Sequence, residues 1–95
     1  MMKDVEWDEA KNDLCQQQRG FTFRFALQAF ADPDRLIEPD ARSAYGELRF
    51  RLMGLIKGRL YAVIYTMRGR KTRIISARKA NRREQNHYHA HQNRR

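Results

Sequence analysis

The chain has 95 residues, a length that fits one domain and argues against two. Its 20 lysines and arginines against 11 acids give a net charge of +9, which predicts a nucleic acid or an acidic protein as partner, or else serves solubility alone. The single cysteine, Cys15, excludes an intramolecular disulfide, and no run approaches the roughly 18 apolar residues of a membrane span.

The opening segment predicts a strand followed by a helix. It reads "MMKDVEWDEAK", with acids where a signal peptide carries basic and apolar residues, which favours a cytoplasmic protein. Val5 and Trp7 share one face of a short strand by the two-residue alternation. Asp8 is an N-cap for a first helix that we expect to reach Gln18 and to end at Gly20.

A second helix is predicted to begin at Thr22 and to stop before Pro33, which cannot continue it. Apolar residues at helical spacing form its buried stripe: Phe23, Ala26, Leu27 and Phe30. The next segment is less regular. We interpret Leu36 and Ile37 as a short edge strand and residues 40–46 as an exposed loop.

Three consecutive strands are predicted in the second half of the chain. In "ELRFRLMGLI" apolar residues alternate with arginines, whereas "RLYAVIYT" is apolar on both faces and belongs at the centre of the sheet. "TRIISAR" is the last strand. A final helix begins at Asn81, which forms a capping box with Glu84. We expect one domain over residues 1–88 and a polar basic tail over residues 89–95.

These elements predict an α+β fold: a small antiparallel sheet of three to four strands, two N-terminal helices on one face and a C-terminal helix. The other face is expected to be uncovered. Arginines at sheet spacing would line it and make a phosphate-binding surface: Arg49, Arg51, Arg73 and Arg78. An RNA-cleaving function requires these arginines to lie together on that bare face.

The order of motifs resembles the BrnT toxins of bacterial type II toxin–antitoxin pairs. The motifs are "WDEAK", "AFADPD", "GELR", "GRLYAVIYTMRG" and "RIISARKANRRE" followed by Tyr88, and the similarity covers residues 5–88. The resemblance implies a RelE-like fold and metal-independent RNA cleavage that inhibits translation, on the ribosome or away from it. It also implies neutralisation by a BrnA-like antitoxin, whose DNA-binding domain connects the complex to operator DNA.

One position departs from the family pattern. The first helix of such toxins usually ends in Lys-His-Gly, where this chain has Gln18, Arg19 and Gly20. Arginine can neutralise a phosphate but cannot exchange protons near neutral pH. If the histidine is an acid or base in relatives, this chain is slower, uses another group, or is attenuated.

Cleavage of RNA without a metal needs a base for the 2′-OH, cations for the charge of the phosphorane, and an acid for the leaving oxygen. Arg78, at a strand end, is the foremost candidate cation, with pairing to Glu84 as the alternative. Arg49 shares a face with Glu47, which is either the general base or the carboxylate that orients Arg49.

Tyr88 completes the candidate catalytic set as a stacking or proton-donating residue, although packing against the sheet is the commoner role of such a tyrosine. Candidate RNA-binding residues are the remaining cations near these positions: Arg19, Arg68, Arg73 and Lys79.

The C-terminal "HYHAHQNRR" places two histidines four residues apart, but no acid or cysteine is placed to complete a metal site with them, so we predict no metal and no other cofactor. The alternative to the ribonuclease is a non-catalytic module whose basic face binds RNA or DNA backbone, or receives an antitoxin. Few aromatic residues are predicted to be available for base stacking.

Overall fold

The computed structural model describes residues 4–40 and 46–94. Residues 41–45, within the predicted exposed loop, lie outside the described part. The described residues form a five-stranded sheet with helices against it. The elements in chain order are β1 (Val5–Trp7), α1 (Glu9–Arg19), α2 (Phe23–Ala26), a 3₁₀ helix (Leu27–Ala31), β2 (Leu36–Pro39), β3 (Arg49–Ile56), β4 (Arg59–Arg68), β5 (Lys71–Lys79) and α3 (Arg82–Asn93).

The strands lie in the order β1-β5-β4-β3-β2. The pairs β2–β3, β3–β4 and β4–β5 are antiparallel. β1 pairs in parallel with β5, with Val5 opposite Thr72 and Trp7 opposite Ile74. The α+β class is confirmed, whereas the expected antiparallel sheet of three to four strands is wrong in detail. Both short strands were predicted individually, but the partner of β1 lies over 60 residues away, and periodicity carries no information about that pairing.

The first face of the sheet carries the larger core. Asp8 caps α1 with its carboxylate, and Gly20 ends the helix with a φ of 83°, both as predicted. α2 begins after the Thr22 cap, and Phe23 and Ala26 are buried. The side chains of this core come from the N-terminal helices and from the alternate positions of the strands: Cys15, Phe23, Ala26, Ala29, Leu52, Ile56, Tyr61, Val63, Tyr65, Ile74 and Ala77.

Gly54 allows the 3₁₀ helix to rest directly on β3. A Cβ at this position would lie 2.2 Å from the carbonyl oxygen of Ala29, a backbone atom that cannot rotate away. The N-terminal helical segment therefore packs backbone to backbone against the centre of β3.

The second face is not bare, which corrects the expectation from the sequence. α3 leaves the end of β5 through the Asn81–Glu84 capping box, which is present as predicted, and turns back over the sheet. A smaller core forms beneath it from Met53, Leu60, Ala62, Ala80 and Tyr88. α3 continues to Asn93, so most of the predicted tail is helical.

Asp32 connects the second face of the sheet to the first through hydrogen bonds. Its carboxylate accepts hydrogen bonds from the backbone N–H of Leu55 (2.8 Å) and from the hydroxyl of Tyr88 (2.5 Å), and the residue is only 8% exposed. The sequence predicted the neighbouring Pro33 only as a helix stop. The aspartate before it connects the 3₁₀ helix, β3 and α3.

Candidate nucleic-acid interface

Four arginines from β3 and β5 lie on the second face beside α3. We call Arg49, Arg51, Arg73 and Arg78 the arginine surface. The strand register explains their proximity: Arg49 of β3 and Arg73 of β5 are both paired with Thr66 of β4. They are thus two strand spacings apart, or about 10 Å between backbones, and their side chains rise on the same side of the sheet.

The next two register rows complete the arginine surface. Arg51 and Ser76 lie on either side of Ile64, and Arg78 is beside Ala62. Ile64 is only 4% exposed. We attribute its burial to the aliphatic stems of the surrounding arginines, which cover apolar surface while their charged ends stay hydrated. The four arginine side chains remain 25–32% exposed, so α3 covers the neighbouring apolar half of this face and leaves these side chains partly accessible.

Glu84 holds Arg78 in a fixed orientation. Arg78 Nη1 donates to Glu84 Oε1 at 2.7 Å and Nη2 donates to Oε2 at 2.9 Å, a two-bond pairing of the planar groups. Glu84 is itself 5% exposed and is the N3 residue of the capping box. The hydrogen bonds from Arg78 lower the pKa of the Glu84 carboxyl, and the carboxylate in turn raises the pKa of Arg78. Both groups are therefore charged at neutral pH.

Arg51 was predicted on this face but was missed as a site residue. It shares Glu84 with Arg78, at 3.4 Å, and pairs with Glu38 at 2.9 Å. Glu38 also contacts His87 of α3 at 2.8 Å, and this hydrogen bond, followed by that of Arg51, lowers the pKa of Glu38. The alternation of β3 was the available signal for Arg51. Its carboxylate partners lie 13 and 33 residues away in the chain.

The predicted Glu47–Arg49 pair is formed, with 3.7 Å between Glu47 Oε2 and Arg49 Nη2. Arg68 also reaches Glu47, at 3.3 Å, so this carboxylate lies between two guanidinium groups. At the opposite margin Arg73 bonds Glu6 of β1 at 2.9 Å, and this hydrogen bond is the main cause of the lowered pKa of Glu6. Of the sequence-predicted site residues, the structure thus brings together Arg49, Arg68, Arg73, Arg78 and Glu47.

Tyr88 does not join them. It is 0% exposed, packs in the core beneath α3 and donates its hydroxyl proton to Asp32. Burial, and then the hydrogen bond to Asp32, raise the pKa of the Tyr88 phenol well above its usual range. This environment is the one expected for a tyrosine that packs against the sheet, the alternative role considered for Tyr88 in the sequence analysis.

Arg19 and Lys79 lie around the end of β5, where they line a second feature. A shallow cleft of about 280 Å³ is formed there by Arg19, Phe21, Arg78 and Lys79, and we call it the β5 cleft. Lys79 lies on the first face of the sheet, opposite Tyr61 in register. Arg78 lines the cleft and also belongs to the arginine surface. Phe21 was not singled out in the sequence.

Other potential sites carry less chemistry. No three His, Cys, Asp or Glu side chains are grouped as metal ligands within residues 4–40 and 46–94. Cys15 is buried, and its burial raises the pKa of its thiol, which makes it a weak nucleophile. No described helix is long and apolar enough to cross a membrane.

The fold and the arginine surface define a small basic α+β protein suited to binding an anionic polymer. Residues 7–84 match the profile of a family described as "Ribonuclease toxin, BrnT, of type II toxin-antitoxin system". The chain therefore belongs to the BrnT family of ribonuclease toxins, whose members act within toxin–antitoxin pairs. A search of curated proteins found no match.

Proposed function

We propose that this chain is an endoribonuclease that cleaves RNA at the arginine surface without a metal ion, inhibits translation, and is neutralised by a BrnA-like antitoxin. The observation that supports the site is the convergence of four guanidinium groups from two strands on one side of the sheet. The family match supports the ribonuclease activity and the existence of an antitoxin.

In the proposed reaction the 2′-oxygen attacks the adjacent phosphorus, and the bond from phosphorus to the 5′-oxygen breaks. Glu47 lies beside Arg49 and Arg68, at the end of β4 that is about 20 Å from the Ala62–Arg78 pair by strand geometry, so in this scheme it orients those two arginines. Water accepts the 2′-OH proton. Water supplies the proton for the departing 5′-oxygen in this scheme. The products are a 2′,3′-cyclic phosphate and a 5′-hydroxyl.

Arg78 is the proposed principal cation for the negative charge that develops on the phosphorane oxygens. Its direction is already fixed by Glu84, so little reorganisation is needed when the charge appears. Arg51 extends the same cationic group through the shared carboxylate. Glu84 is a positioning residue in this scheme, since its two oxygens are occupied by the arginines. Tyr88 has no role in it, because its hydroxyl is engaged in the core.

The test is incubation of the purified protein with single-stranded RNA in excess chelator, with the product ends identified. We expect cleavage that leaves cyclic phosphate ends. The informative variant is Arg78→Gln combined with Glu84→Gln, because removing Arg78 alone would leave a buried carboxylate with only the longer contact to Arg51. This double variant should lose cleavage by about 100-fold or more, the size of effect seen when a charge-stabilising donor is removed.

Two control variants accompany it. Glu84→Gln alone keeps the guanidinium but loosens its orientation, so it should lose cleavage by less than the double variant. Arg70→Gln removes an exposed arginine from the β4–β5 turn and leaves cleavage unchanged. RNA binding without cleavage by the wild type would instead identify a non-catalytic basic module. Cleavage that disappears with chelator would overturn metal independence. Growth arrest on expression, relieved by the antitoxin, tests the effect on translation.

A further inference from the structure

We infer that the β5 cleft is a nucleotide subsite, in which Phe21 stacks on a base of single-stranded RNA while Arg19 and Lys79 bind the flanking phosphates. The inference rests on the proposed ribonuclease function and extends it. It assigns a path for the RNA strand from the arginine surface, around the end of β5, to the opposite side of the sheet.

The position of Phe21 is fixed by its two neighbours. Gly20 turns the chain at the end of α1 with a positive φ, and Thr22 caps the start of α2. The ring of Phe21 packs edge-on against Tyr61 at 5.2 Å between centroids and tilted against Phe25 at 5.9 Å, and it is only partly buried. A rigid aromatic ring that lines an open cleft is suited to base stacking, which tolerates any base because every base has a π-face.

The cations of the cleft differ from those of the arginine surface. Arg19 and Lys79 are exposed, and neither forms an ion pair with a carboxylate of the described chain, whereas all four arginines of the arginine surface do. A phosphate that approaches the cleft therefore displaces no glutamate. Lys79 lies directly across from Tyr61, the residue on which Phe21 packs, so charge and ring are adjacent.

Arg78 joins the two regions. It lines the β5 cleft, yet its guanidinium is paired with Glu84 on the second face. β1 covers β5 only as far as Ile74, so no strand of the described chain pairs with the outer edge of residues 76–79. An RNA single strand that contacts Arg78 on one side of the sheet can therefore continue across this edge to Phe21.

The experiment measures binding separately from cleavage. A fluorescent single-stranded RNA with 2′-O-methyl groups cannot be cleaved by attack of the 2′-oxygen, and its affinity is followed by anisotropy at several salt concentrations. Phe21→Leu keeps an apolar side chain in the aromatic cluster but removes the stacking ring. We expect this variant to bind at least fivefold more weakly, with an unchanged salt dependence, because a base–aromatic contact is uncharged. Phe21→Trp should restore affinity.

Lys79→Gln gives the complementary result. Loss of one phosphate contact should reduce the slope of log K against log salt by about 0.7, the value for single-stranded nucleic acid. Arg70→Gln is the matched control. Arg70 is an exposed cation in the turn at the far end of β5, about 25 Å away by strand geometry, and its removal should change neither affinity nor slope appreciably.

Wild-type affinity in Phe21→Leu, with the thermal unfolding midpoint retained, would overturn the subsite. Equal slopes of log K against log salt for Lys79→Gln and Arg70→Gln would also overturn it, because RNA would then be attracted by the overall positive charge and not by the cleft. The cleavage assay above separates these failures from that of the proposed function. Cleavage by the wild type with no effect of Phe21→Leu on binding rejects the subsite alone, and absence of both binding and cleavage in the wild type rejects both.

Discussion

The arginine surface and the β5 cleft present cations in two different ways. Around the arginine surface six cations share four glutamates, which leaves two net positive charges: Arg49, Arg51, Arg68, Lys71, Arg73 and Arg78 against Glu6, Glu38, Glu47 and Glu84. In the cleft, Arg19 and Lys79 have no such partners in the described chain. Pairing fixes the direction of a guanidinium and reduces its attraction for distant phosphates, whereas an unpaired cation attracts RNA but is poorly oriented.

This difference indicates that the two regions serve different steps, the chemical step and the capture of RNA. Charge that develops during a reaction is stabilised best by groups that are already oriented, so the paired arginines suit the chemical step. Attraction of a long anionic strand is strongest at cations whose charge no neighbouring carboxylate cancels, so the unpaired cations suit capture. The packed core on the first face supports both regions, and ion pairs on the second face orient the arginines. The four predictions below run from the largest expected effect to the smallest.

The first prediction concerns the support beneath both regions. Gly54→Ala should destabilise the fold by about 3 kcal/mol or more, because the new Cβ meets the backbone of Ala29 and the 3₁₀ helix must move. Urea denaturation measures the change. Gly69→Asn is the control: its φ is 62°, no atom lies within 4 Å of the added Cβ, and asparagine tolerates this conformation. Equal stability of both variants would show that the contact at Gly54 is not tight.

The second prediction separates the second-face core from the arginine surface. Tyr88→Phe should lower the free energy of unfolding by about 1–3 kcal/mol, since the buried Asp32 carboxylate loses a donor. RNA cleavage by the folded protein should stay within twofold of the wild type. A loss of cleavage of about tenfold or more with stability retained would instead return Tyr88 to the catalytic set.

The third prediction concerns the acid sensitivity of the arginine surface. The folded-state pKa of Glu84 is lowered by Arg78, so its contribution to stability is present above the unfolded-state pKa of 4.5 and is lost as the pH falls through the folded-state pKa. The free energy of unfolding should therefore fall between about pH 5 and pH 3. In Glu84→Gln this fall should be smaller by about 1 kcal/mol. An unchanged pH profile would mean that the pair contributes little.

The fourth prediction concerns the departure at Arg19. Arg19→His places a group that titrates near neutral pH in the β5 cleft, and we expect a few-fold gain in cleavage. Initial rates between about pH 6 and pH 8 measure the gain, which should follow the titration of the new histidine. A pH-independent rate equal to or below that of the wild type would show that this position serves binding alone.

Much of the secondary structure was predictable because its signals are local. The Asp8 cap, the Gly20 helix end and the Asn81–Glu84 capping box each depend on residues within one or two turns of helix, and all three are confirmed. The alternation of β3 correctly placed Arg49 and Arg51 on one face.

The candidate site was predicted in its cations but not in its environment. Arg78 was singled out from its position at a strand end. That Arg51 and Arg78 form ion pairs with the same carboxylate, Glu84, depends on how β3, β5 and α3 pack together. Phe21 carried no signal, because a single aromatic between two helices is ordinarily core. Its exposure at a cleft follows from the end of β5 lying beside it.

Side-chain periodicity and capping residues were thus sufficient to define most elements and to show which residues share a strand face, since both follow from backbone geometry over a few residues. The parallel β1–β5 pairing, the return of α3 over the second face and the choice of carboxylate for each arginine required the folded chain. Most of those contacts join residues that are distant in the chain, up to 67 positions apart, and the local pattern is compatible with several such arrangements. Packing around Gly54 and the hydrogen bond between Tyr88 and Asp32 select one of them.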